Sequence, residues 1–102
     1  MFFLHRRADF TPEQFRTYSE QTHIPLVARV PGLVRYAVNH VAANPFGAQQ
    51  ACDAVAELSF ESSEDFQAAL GTAEGQAALA DQPNYLDMDR TYMLFMDEKT
   101  VI

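Results

Sequence analysis

A single cysteine, no tryptophan and few basic residues mark this chain of 102 residues, and each scarcity excludes something. Cys52 has no second thiol with which to close an intramolecular disulfide or begin a cysteine metal set. No spacing of His, Asp and Glu matches a metal-ligand pattern either, so no metal is expected. Seven Lys and Arg against fourteen Asp and Glu leave a formal charge of −7, and apart from Arg6-Arg7 the cations are scattered. Such a surface repels a phosphate backbone, which removes nucleic acid from the expected partners.

Long apolar runs are missing as well. None approaches the roughly 20 residues that span a bilayer, and Met1-Phe2-Phe3-Leu4 is too short for the apolar part of a signal peptide. The expectation is a cytoplasmic protein with no membrane partner. A glycine-rich phosphate loop and a dinucleotide fingerprint are also lacking, so no cofactor is expected.

What is present is a globular composition, 48% apolar and 21% charged. A chain of this length forms one domain, residues 1–102, and buries roughly two thirds of the surface it exposes when unfolded. Met1 to His5 reads as a strand. Thr11-Pro12-Glu13-Gln14 then opens a helix, with Thr as cap, Pro at the first helical position and Gln completing a capping box. Phe15, Tyr18, Thr22 and Leu26 follow at helical spacing as its core stripe. Pro25 has no N–H and crowds the carbonyl of Gln21, which predicts a kink near His23.

After Pro31-Gly32, residues 33 to 41 alternate as a second strand, with Tyr36, Val38 and His40 on one face and Arg35, Ala37 and Asn39 on the other. A loop over 42–50 leads to a third strand from about Cys52 to Phe60. Ser62 or Ser63 caps a helix carrying Phe66, Ala69 and Leu70, and Gly71-Thr72 separates it from an Ala-rich helix ending near Ala80. The last strand is expected over Thr91 to Met96. The order β, α, β, β, α, β folds most simply as a ferredoxin-like α+β domain, a four-stranded antiparallel sheet with both helices on one face. Both faces of the first and last strands are apolar, Phe2 with Leu4 opposite Phe3 with His5 in the first, and Met93 and Phe95 alternating with Tyr92, Leu94 and Met96 in the last. A second copy of the chain is the simplest cover for the face the helices leave bare.

The stretch Phe15 to Val41, with His23-Ile24-Pro25-Leu26, Pro31-Gly32-Leu33 and Tyr36, resembles the EthD family of dimeric α+β barrel proteins. The second half, with Asp53 to Leu58, Phe60-Glu61-Ser62 and the Gly75-Gln76 to Asp81 segment, is similar to the same family. That resemblance implies a homodimer whose two sheets form a barrel. The family is named for a protein linked to the breakdown of ethyl tert-butyl ether alongside a cytochrome P450 system. Similar barrels include cofactor-free lactone isomerases and monooxygenases of aromatic polyketides.

Helix rise and strand rise place His23 and Tyr36 at about the same height, roughly 10 Å from the turn between their elements. A histidine beside a phenol, in an apolar pocket lined by Phe15, Tyr18, Leu58 and Phe66, suits proton transfer on a small organic ligand. Equally, His23 could satisfy backbone groups freed by Pro25 while Tyr36 packs. The family likeness favours a catalytic His23 and Tyr36. His40, further along the strand, lies at the pocket mouth or on the rim of the domain. His5 reads as structural or exposed, Cys52 as a small buried hydrophobe, and Asp81, in an Asp-x-x-x-Tyr stretch, as a turn-stabilising acceptor. Arg35 and Glu57 are expected to pair across neighbouring strands, on the face away from the helices. Two functions follow: binding or conversion of a small apolar compound in a catabolic or modification pathway, or a non-catalytic accessory role beside an oxygenase system.

Overall fold

The computed structural model describes residues 1–102. The elements are β1 (Phe2–Leu4), α1 (Pro12–Tyr18), a π turn (Ser19–His23), α2 (Ile24–Val27), β2 (Arg35–His40), β3 (Ala54–Ser59), α3 (Ser63–Leu70), α4 (Ala73–Asp81), a 3-10 turn (Gln82–Asn84) and β4 (Tyr92–Met93). The sheet order is β2-β3-β1-β4, and every neighbouring pair is antiparallel. This is the ferredoxin-like α+β arrangement expected from the element order.

Local chemistry accounts for the helix starts. The Thr11 hydroxyl accepts from the Gln14 N–H at 3.1 Å, and the Gln14 side chain accepts from the Thr11 N–H at 2.9 Å, closing the capping box. Ser62 caps α3 and Thr72 caps α4 in the same manner, at 3.1 and 3.0 Å. Each cap contributes about 1 kcal/mol.

The first helix departs from a plain α-helix where Pro25 falls. The Ile24 N–H reaches back five residues to the Ser19 carbonyl, so the chain between α1 and α2 is wound as π. A π turn holds more residues than an α turn, and this shifts the buried stripe. The deeply buried positions are Phe15, Ser19, His23 and Val27, each four after the last. Thr22, expected inside, is exposed, while Tyr18 and Leu26 are half-buried. The extra backbone at the π turn offsets the drift that four-residue spacing would accumulate on a regular helix.

Phe15, Leu4, Ala54, Ala56, Tyr85 and Leu86 form the core beneath the helices, with Phe2, Tyr36, Val38 and Leu58 packed against it. Burying a ring such as Phe15 contributes roughly 1.5–3 kcal/mol. On the opposite face Phe3 stacks on Tyr92 with ring centroids 4.8 Å apart. Arg35 bonds Glu57 at 3.4 Å, diagonally across β2 and β3, as a largely exposed pair of small energetic weight. β4 is shorter than expected. Beyond Met93 the ladder continues only through Leu94, whose N–H meets the Met1 carbonyl at 2.9 Å and whose carbonyl takes the Met1 amine at 2.7 Å.

Candidate functional site

His23 ends the π turn, and the added backbone directs its side chain inward, where the residue is 7% exposed. Its Nδ1 lies 2.8 Å from Oδ2 of Asp81, the last residue of α4. Asp81 is equally buried and takes two further hydrogen bonds on Oδ1, from the Tyr18 hydroxyl at 2.6 Å and from the Asn84 amide at 3.0 Å. Burial alone would push its pKa up, but the donors Tyr18, Asn84 and His23 outweigh burial and hold it below the ordinary carboxylate value. An ionised carboxylate only accepts, so Nδ1 carries the proton of a neutral ring and Nε2 presents the lone pair. Burial, opposed by Asp81, lowers the His23 pKa and keeps the ring neutral near pH 7. Nε2 makes no hydrogen bond to the protein and is not among the polar atoms sealed from solvent.

Tyr85 completes the cluster. The backbone is pinned here by the Arg7 N–H, which donates to the Tyr85 carbonyl at 3.0 Å. Its ring stacks on Phe15 and Tyr18, with centroids 5.4 and 5.1 Å away, and leans on the His23 ring at 4.8 Å. The residue is 0% exposed, and its hydroxyl has no hydrogen-bond partner. Leaving a buried hydroxyl unpaired costs roughly 1–3 kcal/mol.

Between helices and sheet lies a cavity of about 60 Å³ with a mostly apolar lining. His23 and Tyr36 both line it, joined by Leu58, Phe66 and Tyr85. That volume admits on the order of four waters, or the compact part of a small organic molecule. Burial alone pushes the Tyr36 phenol up to about 12, so its hydroxyl stays protonated at neutral pH. Leu58, Phe60 and Phe66 also wall a wider cleft of about 420 Å³ beside Arg35, Met93 and Phe95.

Four of the residues singled out from the sequence, His23, Tyr36, Leu58 and Phe66, therefore meet at one cavity. The other three do not line it. Phe15 and Tyr18 stand behind Tyr85 as a second aromatic layer. His40 sits at the end of β2, edge-on to Phe15 at 5.8 Å, and lines a surface groove with Arg16 and Asn44. Burial, aided by the Arg16 charge, lowers its pKa. His5 is buried, its backbone N–H bonded to the Thr91 hydroxyl at 3.1 Å. Cys52 is half-buried, and its thiol is pushed up by burial and then by Asp53, the opposite of an activated nucleophile. Asp81 does bond within its turn, through Asn84, but its larger part is to hold His23. Tyr85 was not singled out from the sequence. The spacing Asp-x-x-x-Tyr was its one local sign, since residues four apart at a helix exit share a face.

The EthD domain model matches residues 7–89. An uncharacterized 11.0 kDa protein of the thcB-thcC intergenic region of Rhodococcus erythropolis is 36% identical over 94 residues, covering 89% of this chain and 86% of that protein. The crystal structure of an EthD family protein from Bacillus halodurans C-125 has the same fold, with a TM-score of 0.70 and 25% identity over 83% of this chain and 87% of that one. With a family match across most of its length and a relative above one third identity, the chain belongs to the EthD family.

Proposed function

We propose that this protein binds a small apolar organic compound in the cavity between helices and sheet and converts it by cofactor-independent proton transfer, with His23 as the base. The observation that carries this is the division of labour on one imidazole: Nδ1 is held by Asp81 while Nε2 is left without a protein partner, on a ring that lines an apolar cavity. A histidine serving only to satisfy the backbone would have its nitrogens on amides or carbonyls.

The electrostatics support the assignment. A ring kept neutral by burial can accept a proton at neutral pH, and the Asp81 carboxylate stabilises the imidazolium that forms. Positioned bases of this kind contribute about 10²–10⁴-fold to rate. Tyr36 faces the same space as a protonated phenol and would donate to an oxygen of the ligand. Such chemistry fits a step in the breakdown or modification of an apolar compound.

The working form is proposed to be a homodimer. Tyr92, Leu94 and Met96 expose 47%, 47% and 56% of their surface, an apolar set that a second copy would cover.

The test is an NMR titration of the His23 ring with a panel of small lactones, phenols and ethers. Binding is expected to shift the His23 signals and its apparent pKa, with a weaker response in Tyr36→Phe. A His23 ring that responds to no ligand, in a protein that stays folded, would leave the cavity without its proposed base.

A further inference from the structure

We infer that the cavity takes an uncharged compound by a hydroxyl-bearing end, an alcohol or a phenol, whose O–H donates to His23 Nε2 while its oxygen accepts from donors among Ser19, Tyr36 and Gln82. This rests on the ligand-binding half of the reading above and adds to it the polar end of the ligand and two residues that select for it, Ser19 and Gln82.

Ser19 is the most telling. It falls on the buried stripe of the first helical segment and is 1% exposed. A hydroxyl in a helix commonly returns to a carbonyl three or four residues back, as Thr72 does to the Ala69 carbonyl at 2.6 Å. The Ser19 hydroxyl makes no such bond, yet it is not among the unpaired polar atoms sealed from solvent, so the trace of surface that Ser19 keeps belongs to its hydroxyl. That surface faces the cavity, which Ser19 lines.

Gln82 follows Asp81 and opens the 3-10 turn. Its carbonyl accepts from the Tyr85 and Leu86 N–H groups at 3.2 and 2.9 Å, while its side-chain amide has no protein partner and lines the same cavity. His23 stands four residues after Ser19 and is bonded to Asp81, so Ser19, His23 and Gln82 gather where the π turn meets the end of α4. Tyr36 faces them from β2. Elsewhere the walls are apolar, and Tyr85 offers only its ring, because its hydroxyl is sealed.

This polar end has a narrow preference. No Lys, Arg, Asp or Glu lines the cavity, so a charged ligand would enter without a counter-ion. Nε2 of the neutral ring can only accept, whereas Ser19, Tyr36 and Gln82 can donate. A hydrocarbon would leave all four unpaired, and an ether or ketone oxygen would still leave Nε2 without a proton. One hydroxyl serves both sides from a single atom, which suits a space of about 60 Å³. The apolar body of the ligand then runs towards Phe2, Leu58, Phe60 and Phe66, which this cavity shares with the wider cleft. Set this way, the proton within reach of His23 is the ligand's own: it passes to Nε2 and leaves its electron pair on the oxygen.

The test compares ligands of one shape. Phenol is set against toluene, and cyclohexanol against methylcyclohexane, with anisole as an oxygen that cannot donate and benzoate as an anion. Wild-type protein is expected to bind a hydroxyl compound about tenfold more tightly than its hydrocarbon partner, and the pair with the larger ratio tells phenol from alcohol. Anisole and benzoate should bind more weakly than phenol, and the hydroxyl compounds alone should displace the Nε2 ¹⁵N resonance of His23. Ser19→Ala and Gln82→Leu should each cut the hydroxyl preference by about threefold or more, with toluene binding held within about twofold as proof of an intact cavity. If the hydrocarbons bind as well as the hydroxyl compounds, or if neither variant changes the ratio, the hydroxyl assignment fails and the apolar cavity stands. Benzoate binding as tight as phenol would overturn the uncharged class. If none of the six compounds binds, the ligand-binding reading itself fails, and this inference with it.

Discussion

His23 and Asp81, 58 positions apart in the chain, are joined by a hydrogen bond of 2.8 Å between Nδ1 and Oδ2. The bond ties the π turn of the first helical segment to the last residue of α4, so one contact both locks the tertiary fold and fixes the tautomer of the imidazole. Removing the charge while keeping the shape separates these roles. In Asp81→Asn the His23 pKa should fall further, because the carboxylate is what opposes burial. Stability should drop by about 1–3 kcal/mol. Proton transfer should slow by roughly 10²-fold or more. NMR titration of His23 checks the first point, and an unchanged midpoint would contradict the pairing.

The hydroxyls of Tyr18 and Tyr85 offer a matched contrast. Tyr18 donates to a carboxylate, and Tyr85 donates to nothing within the protein. Tyr18→Phe is expected to lower stability by about 1.5–3 kcal/mol, as befits a lost bond to a charged group, whereas Tyr85→Phe, which removes a buried hydroxyl that has no partner, should raise it by up to about 1–3 kcal/mol. Urea unfolding of the two variants makes the comparison, and equal losses would mean that the Tyr85 hydroxyl has a partner after all.

Acid should act in two stages. His23 and His40 titrate below their ordinary value of 6.5 in the folded chain, so the unfolded chain takes up protons first as pH falls through 6.5. Stability therefore declines below that point until the folded histidines protonate too. Asp81 is depressed below 3.8, so its contribution is present above 3.8 and is lost as pH falls through its folded value. Above pH 10 the raised phenols of Tyr18, Tyr36 and Tyr85 reverse the sign, and stability falls as pH rises. Thermal melts from pH 3 to 11 would test this, and Asp81→Asn should remove the more acidic stage.

Two glycines flanking the α3–α4 junction should respond in opposite ways. A Cβ on Gly75 would overlap the carbonyl oxygen of Ala69, a backbone atom with no freedom to move aside. Gly75→Ala should therefore lower stability by at least about 2 kcal/mol. Gly71 has ordinary contacts for a Cβ and a φ of −84°, so Gly71→Ala should be neutral or stabilise by up to about 1 kcal/mol. Denaturant midpoints decide it.

Self-association can be read from mass. Light scattering should give twice the 11.5 kDa of the chain for wild type, and Leu94→Asp, which places a charge in the apolar set on the open face, should shift the balance towards the monomer. A wild-type mass equal to one chain at micromolar concentration would rule the dimer out.

The strand and helix order was legible because each element carries local marks: the capping box at Thr11, alternation through Tyr36 and Val38, and the break at Gly71-Thr72. That His23 and Tyr36 line one cavity accords with the rise per residue of helix and strand. The buried stripe of the first helix was misplaced because periodicity assumes α geometry throughout, and Pro25 imposes a wider turn just before it. Asp81 was read as a turn acceptor because its partners Tyr18 and His23 lie across the fold, where no local pattern reports them. Tyr85 escaped for the same reason. An unpaired hydroxyl is a property of its surroundings, invisible until the chain is folded.

The π turn at Ser19–His23 makes residue count, at this one place, a chemical variable. Each residue along a helix advances the side chains by about 100°. Deleting a single residue from this segment would let the backbone relax into an ordinary α-helix, and every side chain on one side of the cut would rotate by that amount relative to the other. The sheet, the caps and most of the core would survive. His23 would no longer point at Asp81, so a one-residue deletion here could leave a folded protein stripped of its proposed base.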